Sequence, residues 1–280
     1  MMKKKTTTTK ISREAKSQSV PLAGKVALIT GGAKRVGRAI ALRLAHEGMH
    51  IAFTYQQSAR EARSLVKQIE ALGQQALAIE VDLAEPDADA TVFDDFCKQF
   101  SRCDALINNA STFDRTPIGK ISLDAFEHNM AINARAPMML MQRFAPMLAA
   151  HAKVDTKRKP ADRGRTKNVG RIINFIDIHV MGQPLRSYMA YNMSKAALME
   201  ATMTAALELA PKITVNAIAP GVVAWAQSYT KEQRDRYMQR VPLARAGTPD
   251  DAAEAVLFLV RDADYCTGQI IRLDGGRLYT

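Results

Sequence analysis

Tyr191 and Lys195 stand four residues apart in the run YNMSK, inside a stretch whose periodicity predicts a helix, so phenol and ammonium share one helix face. A fixed positive charge beside a phenol can lower its pKa and make it a readier proton donor. A second chemical feature is the run TGGAKRVG, Thr30 to Gly37, which follows the apolar KVALI and opens a helical pattern. Strand, glycine-rich turn and helix N-terminus together make a seat for a dinucleotide pyrophosphate, because unpaired helix amides point at the anion and small residues let it approach. Gly31 and Gly37 supply that closeness; taken alone, such a loop also reads as a plain strand–helix turn. Lys34 and Arg35 add two cations where an adenosine 2′-phosphate would need them. At the end of the next apolar run stand Thr54, Tyr55, Gln56, Gln57 and Ser58, with no acid among them. Sites for the unphosphorylated dinucleotide place Asp or Glu there to hold the ribose hydroxyls, whereas Ser58 can donate to a phosphate. The expectation is NADPH rather than NADH.

Residues so far apart in sequence need a scaffold that brings several strand ends together. KVALIT, MHIAFT, ALAIEV, DALINNA, RIINFI, KITVNAI and QIIRL read as short apolar strands. Between them lie helical patterns. Val36, Ile40 and Leu44 recur every four residues and stop at Gly48; Ser58 and Glu61 form a capping box before the next helix, which Gly73 ends. PDADATVFDDFCKQF and SKAALMEATMTAALELA are further helices, and the stretch from Ser122 to about Ala150 is a long one that Pro137 and Pro146 should kink. Strands alternating with amphipathic helices mean βαβ units and a parallel sheet covered on both faces. The fold class is α/β, a doubly wound Rossmann-type parallel sheet in a single domain, without internal repeat or linker.

Composition sets the outer bounds. No run of 18 apolar residues spans a membrane. The net charge of +11 invites a nucleic-acid reading, but residues 1–20 hold +5 and residues 151–171 hold +6, the whole excess. The remaining body is formally neutral, which argues against nucleic acid as a partner. Residues 1–22 lack an apolar h-region and read as a disordered basic tail; residues 23–280 form the domain, with 151–169 a basic surface insertion. Cys97, Cys103 and Cys266 are odd in number and lack metal-ligand spacing, which fits a reducing, cytoplasmic setting and no bound metal.

Across residues 24–280 the order of these features resembles the short-chain dehydrogenase/reductase family. Thr30, Gly31 and Gly37 match its T-G-x-x-x-G-x-G motif, Asp82-Leu83 its adenine-binding pair, and Asn108-Asn109-Ala110 its N-N-A-G motif, with Ser111 where Gly is usual. Asn133 stands where the family has a helix Asn supporting a proton relay; Tyr191 and Lys195 are its Y-x-x-x-K pair; Pro220-Gly221 and Asp274-Gly275-Gly276 follow its later motifs. The resemblance implies NADPH/NADP+ held by Gly31, Lys34, Arg35, Val36, Tyr55 and Ser58 around the loop. It adds Asp82, Leu83, Asn109, Ala110 and Ser111, then Asn133, Tyr191, Lys195, Pro220 and Gly221, with Lys195 on the nicotinamide ribose. It also implies a homotetramer built on the long helix, where Met138, Met139 and Met141 lie, and on the Gly275-Gly276 segment.

Within the family, the departures resemble the pteridine reductases and their bacterial dihydromonapterin- and dihydrofolate-reducing relatives. Arg35 replaces the middle glycine, Ser111 and Phe113 give N-N-A-S-x-F, and Val241 to Leu243 give V-P-L. Most members carry a catalytic Ser on the strand before the Tyr; here INFID ends in Asp177, 14 residues before Tyr191 and one more than that subgroup's spacing. The loop HVMGQPLRS must absorb the extra residue, which leaves His179 and Met181 unplaced. The resemblance implies catalysis by Asp177, Tyr191 and Lys195 on a dihydropterin, with dihydrofolate a further candidate. Hydride would go to carbon of a ring C=N bond, and a proton shared by Asp177 and Tyr191 to nitrogen. Arg35, Ser111, Phe113, Asp177, Tyr191 and Trp225 would hold the substrate, Phe113 by stacking and Trp225 from the family's lid segment. Plainer readings stand beside these: Asp177 as a strand-end residue, Phe113 as core, Trp225 as a surface aromatic, His179 as a loop residue. The alternative function is a general carbonyl reductase such as a 3-oxoacyl thioester reductase, in which a carboxylate would be a poor substitute for Ser; an inactive NADPH-binding regulator is a lesser one.

Overall fold

The computed structural model describes residues 22–157, 159, 168–225 and 229–280. Residues 1–21 of the expected N-terminal tail and residues 158 and 160–167 of the basic insertion lie outside these residues. Leu22, assigned to the tail by sequence, is instead 1% exposed and packs in the core.

Seven strands form one parallel sheet in the order β3-β2-β1-β4-β5-β6-β7. They are β1 (Val26–Ile29), β2 (His50–Tyr55), β3 (Ala76–Glu80), β4 (Ala105–Asn108), β5 (Gly170–Phe175), β6 (Ile213–Pro220) and β7 (Ile270–Leu273). The central strands read VALI, ALIN and GRIINF without polar alternation, because both of their faces are buried. One face packs on α1 (Arg35–His46), α2 (Ala59–Ala71) and α8 (Pro249–Arg261), through Ile29, Ile40, Leu44, Phe53, Leu65 and Leu257. The other packs on α3 (Ala88–Cys97), α5 (Ala136–Ala149) and α6 (Met189–Glu208), through Leu28, Phe96, Leu106, Phe144, Ile172 and Val215. After β1 the chain moves outward to β2 and β3, then returns to pair β4 on the other side of β1, with Ala27 beside Ala105 and Ile29 beside Ile107. The loops leaving β1 and β4 therefore part, and the crevice between them is the switch point where such sheets bind ligands.

Three local expectations change. Ser58 is the N-cap residue of α2, but its side chain makes no cap bond, so the Ser58–Glu61 capping box does not form; Glu61 lies 3.6 Å from Lys34. The long helix is two helices, α4 (Leu123–Met130) and α5, joined by a π turn at Ala131–Arg135. Pro137 sits in the first turn of α5 and has no N–H to donate to the carbonyl of Asn133 four residues back; the wider turn absorbs that break. A short helix, α7 (Lys231–Met238), was not foreseen. It buries none of its residues, so it has no apolar period to read; its Thr230–Gln233 capping box was the available signal. Met141 faces the core and is 4% exposed, whereas Met138 faces outward. Among the described residues no helix is long and apolar enough to cross a membrane.

Candidate active site

Thr30 to Lys34 carry the chain from β1 into α1. Gly31 has φ +63°, and a Cβ there would lie 3.1 Å from the Ala110 Cα. Gly37 is needed for space: its Cβ would come 2.3 Å from the Gly31 carbonyl oxygen and 2.8 Å from Asn109 Nδ2. The loop is tied to both neighbouring strands. Gly31 N donates to Thr54 Oγ1 at 3.0 Å, and Thr30 Oγ1 accepts from the amides of Asn109 and Ala110, each at 3.0 Å. Asn109 Nδ2 donates to Thr30 O at 2.9 Å. Lys34, the N-cap residue of α1, makes no side-chain cap bond, so the first-turn amides keep no side-chain partner. An uncapped helix start over a cradle that a single Cβ would fill suits a pyrophosphate.

Above this loop lies a cleft of about 540 Å³. Gly31, Lys34, Arg35, Val36 and Gly37 line it from the loop and α1, Tyr55 from the end of β2, Ser58 from the start of α2, Asn109, Ala110 and Ser111 from the loop after β4, and Gly221 from just past β6. Of the other expected cofactor contacts, Asp82 accepts from Gln56 Nε2 at 2.7 Å and from Ala84 N at 2.8 Å, and Leu83 is buried beside it. Pro220 ends β6 immediately before Gly221. Tyr55 donates to Glu80 Oε2 at 3.0 Å, and burial with that bond raises its phenol pKa. The two cations diverge. Lys34 stays at the outer end of the cleft, paired with Glu61. Arg35 turns toward the segment after β6, where its Nη2 donates to Ala224 O at 2.7 Å and Trp225 O at 3.1 Å. Its backbone has φ +51°, the left-handed region, which accounts for glycine being the usual residue there.

At the inner end, Tyr191 on the first turn of α6 donates its hydroxyl to Asp177 Oδ2 at 2.6 Å. The other oxygen, Asp177 Oδ1, accepts the His179 amide at 2.8 Å and so caps a 3₁₀ turn at Ile178–Val180. That turn and Gly182, at φ +109°, take up the extra residue without separating Asp177 from Tyr191. Lys195, 2% exposed, donates to Phe175 O at 2.7 Å, and its Nζ lies 6.0 Å from the Tyr191 ring centroid. Burial pushes the Lys195 ammonium down to about 8, and Asp177 opposes that shift. Tyr191 is held well above its usual value by burial, then by the charge and hydrogen bond of Asp177. The expected lowering of the Tyr191 pKa by Lys195 is therefore corrected: burial first, and then the carboxylate neighbour, raise it instead. Asn133, in the π turn, accepts from Thr112 N at 3.0 Å and donates to Thr112 O at 3.1 Å and to Ser194 Oγ at 3.0 Å. It fixes the Ser111–Phe113 wall against α6.

A second pocket of about 240 Å³ opens over this group. It brings together all six expected substrate residues, Arg35, Ser111, Phe113, Asp177, Tyr191 and Trp225. Other lining residues went unread, among them His179 as a pocket residue, Tyr229 and Tyr237. Tyr237 approaches Trp225 edge-on with centroids 5.5 Å apart. One expectation narrows: a face of Phe113 is already covered by Tyr188, stacked at 4.4 Å and 18°. Tyr188, three residues before Tyr191 on the same helix start, is findable by that spacing. Tyr229 stands just before α7 and Tyr237 in its last turn, and neither carries a local signal.

Comparison with known proteins places these features in context. A family profile described as enoyl-(acyl carrier protein) reductase matches residues 31–277. The 3-oxoacyl-(acyl-carrier-protein) reductase FabG of Staphylococcus epidermidis is 32% identical over 257 residues, covering 90% of this chain and 98% of its own. Galactitol 2-dehydrogenase of Agrobacterium fabrum is 34% identical over 274 residues, covering 91% and 98%. Among solved structures, a short-chain dehydrogenase from Burkholderia cenocepacia in complex with NADP superposes with a TM-score of 0.81 at 32% identity, covering 92% of this chain and 99% of the other.

Proposed function

The chain is an NAD(P)-dependent oxidoreductase of the short-chain dehydrogenase/reductase family, and from that premise we propose that it reduces dihydropterins with NADPH. The observation that carries this reading is the Tyr191–Asp177 hydrogen bond of 2.6 Å. A carbonyl reductase needs a neutral donor beside its Tyr to hold the developing alkoxide; a carboxylate would repel it. A ring C=N bond makes no alkoxide. Its nitrogen needs a proton, and Tyr191 with Asp177 holds one at the pocket wall.

The glycine cradle, the uncapped start of α1, Lys34 and Ser58 fit a phosphorylated dinucleotide, as does the NADP-bound relative. When bound, NADPH supplies the hydride. Tyr191 passes its hydroxyl proton to the ring nitrogen, and Asp177 returns a proton to the phenolate from solvent. Lys195 holds a positive charge 6.0 Å away that stabilises the transient phenolate. Asn133 keeps the Ser111 wall in place while this happens. Cytoplasmic location and a homotetramer belong to the same proposal.

The second reading, a 3-oxoacyl thioester reductase, is favoured by the name of the Staphylococcus epidermidis relative. NADPH oxidation against dihydromonapterin, dihydrobiopterin, dihydrofolate and an acetoacetyl thioester separates the two. Asp177→Ser should cut dihydropterin turnover by roughly 10²- to 10⁴-fold and leave NADPH affinity unchanged. Reduction of the thioester alone, or full pterin turnover by Asp177→Ser, sinks the pterin reading.

A further inference from the structure

We infer that His179 is a specificity-determining residue whose Nε2 accepts a hydrogen bond from an N–H donor on the edge of the substrate. The inference rests on the pteridine reading and adds a contact that reading does not use.

His179 follows Asp177 by two residues and lines the same 240 Å³ pocket as Asp177, Tyr191 and Trp225. Its Nδ1 lies 2.8 Å from the carbonyl oxygen of Gln183. A carbonyl oxygen only accepts, so Nδ1 carries a hydrogen, and in the Nδ1–H tautomer Nε2 is the ring's acceptor. The Gln183 carbonyl holds the Nδ1 side of the ring. Gln183 is anchored on the far side, where its Nε2 donates to Leu278 O at 2.7 Å and its Oε1 accepts from Arg277 Nη1 at 2.9 Å. The backbone of His179 is fixed as well, by its amide on Asp177 Oδ1.

The other polar groups of the pocket show what is missing. Arg35 is committed to Ala224 O and Trp225 O, the Ser111 hydroxyl donates to Thr112 O, Tyr191 donates to Asp177, and Tyr237 Oη accepts from Val222 N, while Tyr229 adds a further hydroxyl to the lining. In that tautomer His179 Nε2 is a second acceptor in a pocket that also holds the Asp177 carboxylate. Two acceptors in one pocket select a substrate edge that carries N–H donors, such as the amino and ring N–H groups of a reduced pterin, over an edge of carbonyl oxygens alone. A pocket built to pair a donor discriminates strongly against analogues lacking it, because the acceptor then stays buried without a partner.

The test compares wild type, His179→Gln and His179→Phe with 7,8-dihydrobiopterin and NADPH. His179→Phe removes the acceptor; His179→Gln keeps an acceptor oxygen of similar reach. The expected result is a KM for the pterin raised at least tenfold in His179→Phe, an intermediate value in His179→Gln, kcat within about threefold of wild type, and an unchanged NADPH KM. Retained NADPH binding shows that each variant is folded. In wild type, two-bond ¹H–¹⁵N spectra should show the Nδ1–H tautomer, with the Nε2 resonance moving when 7,8-dihydrobiopterin joins the NADP+ complex. Pterin turnover with an unchanged KM in His179→Phe, or a still Nε2 resonance under a bound pterin, overturns the role of His179 and leaves the pteridine reading intact. No turnover and no binding of the pterin by wild type overturns both.

Discussion

At the residue scale the site turns on two groups that burial drives in opposite directions. Lys195 is pushed down to about 8 while Tyr191 is pushed up, so near neutral pH the first is charged and the second is not. Turnover should therefore fall as pH rises past about 8, because the ammonium that stabilises the phenolate is lost. Lys195→Arg, with a guanidinium that stays charged, should lack this descending limb even if its overall rate is lower; a pH profile of kcat checks it. The sign for stability is the reverse. A lysine whose folded-state pKa is lowered binds fewer protons folded than unfolded, so its charge penalty is present below about 8 and is relieved as pH climbs toward the unfolded value. Sequence made the Tyr191–Lys195 pair legible through its four-residue spacing, and Asp177 through its place at the end of an apolar run. It could not show that Lys195 would reach Phe175 O or that Arg35 would turn to Ala224, because both depend on where distant backbone carbonyls lie.

At the element scale, the start of α1 carries a strained residue. A left-handed backbone at a non-glycine residue costs about 1–2 kcal/mol, which the two charge-assisted bonds from Arg35 to Ala224 and Trp225 are of a size to offset. Arg35→Ala keeps the strain and loses the bonds; Arg35→Gly loses the bonds and the strain. The glycine variant should therefore melt higher than the alanine variant, by a few degrees for about 1 kcal/mol in a chain of this size, and thermal unfolding of the two side by side decides it. Strands were readable because parallel strands buried on both faces are unbroken apolar runs. The π turn at Ala131–Arg135 was not, since Pro137 signals a break without saying that the chain will widen by one residue and continue. The helix α7 was missed for the opposite reason: it buries none of its residues, so no apolar periodicity records it.

At the scale of the whole molecule, α4, α5 and α6 leave an apolar groove in which Phe126, Met130, Met138 and Ala201 face outward. The proposed tetramer would cover it. A glutamate there would place a charge without a partner in the interface, so Met138→Glu should lower the solution mass at micromolar concentration; an unchanged tetramer, or a monomeric wild type, removes this face from the assembly. The fold class was legible at this scale because strand and helix signals alternate over the whole body, while the way copies meet leaves only exposed methionines in the sequence, and one of the three, Met141, proves to be core. The two clefts also share a wall: Arg35, Ser111, Gly221 and Ala224 line both. A dinucleotide filling the larger cleft would become part of the boundary of the smaller one. The pterin would then meet a finished binding surface only after the cofactor has arrived, and it would have to leave before the spent cofactor could. Under the proposed function each turnover would then run in order, cofactor first in and last out, with nucleotide exchange as the step that opens the next cycle.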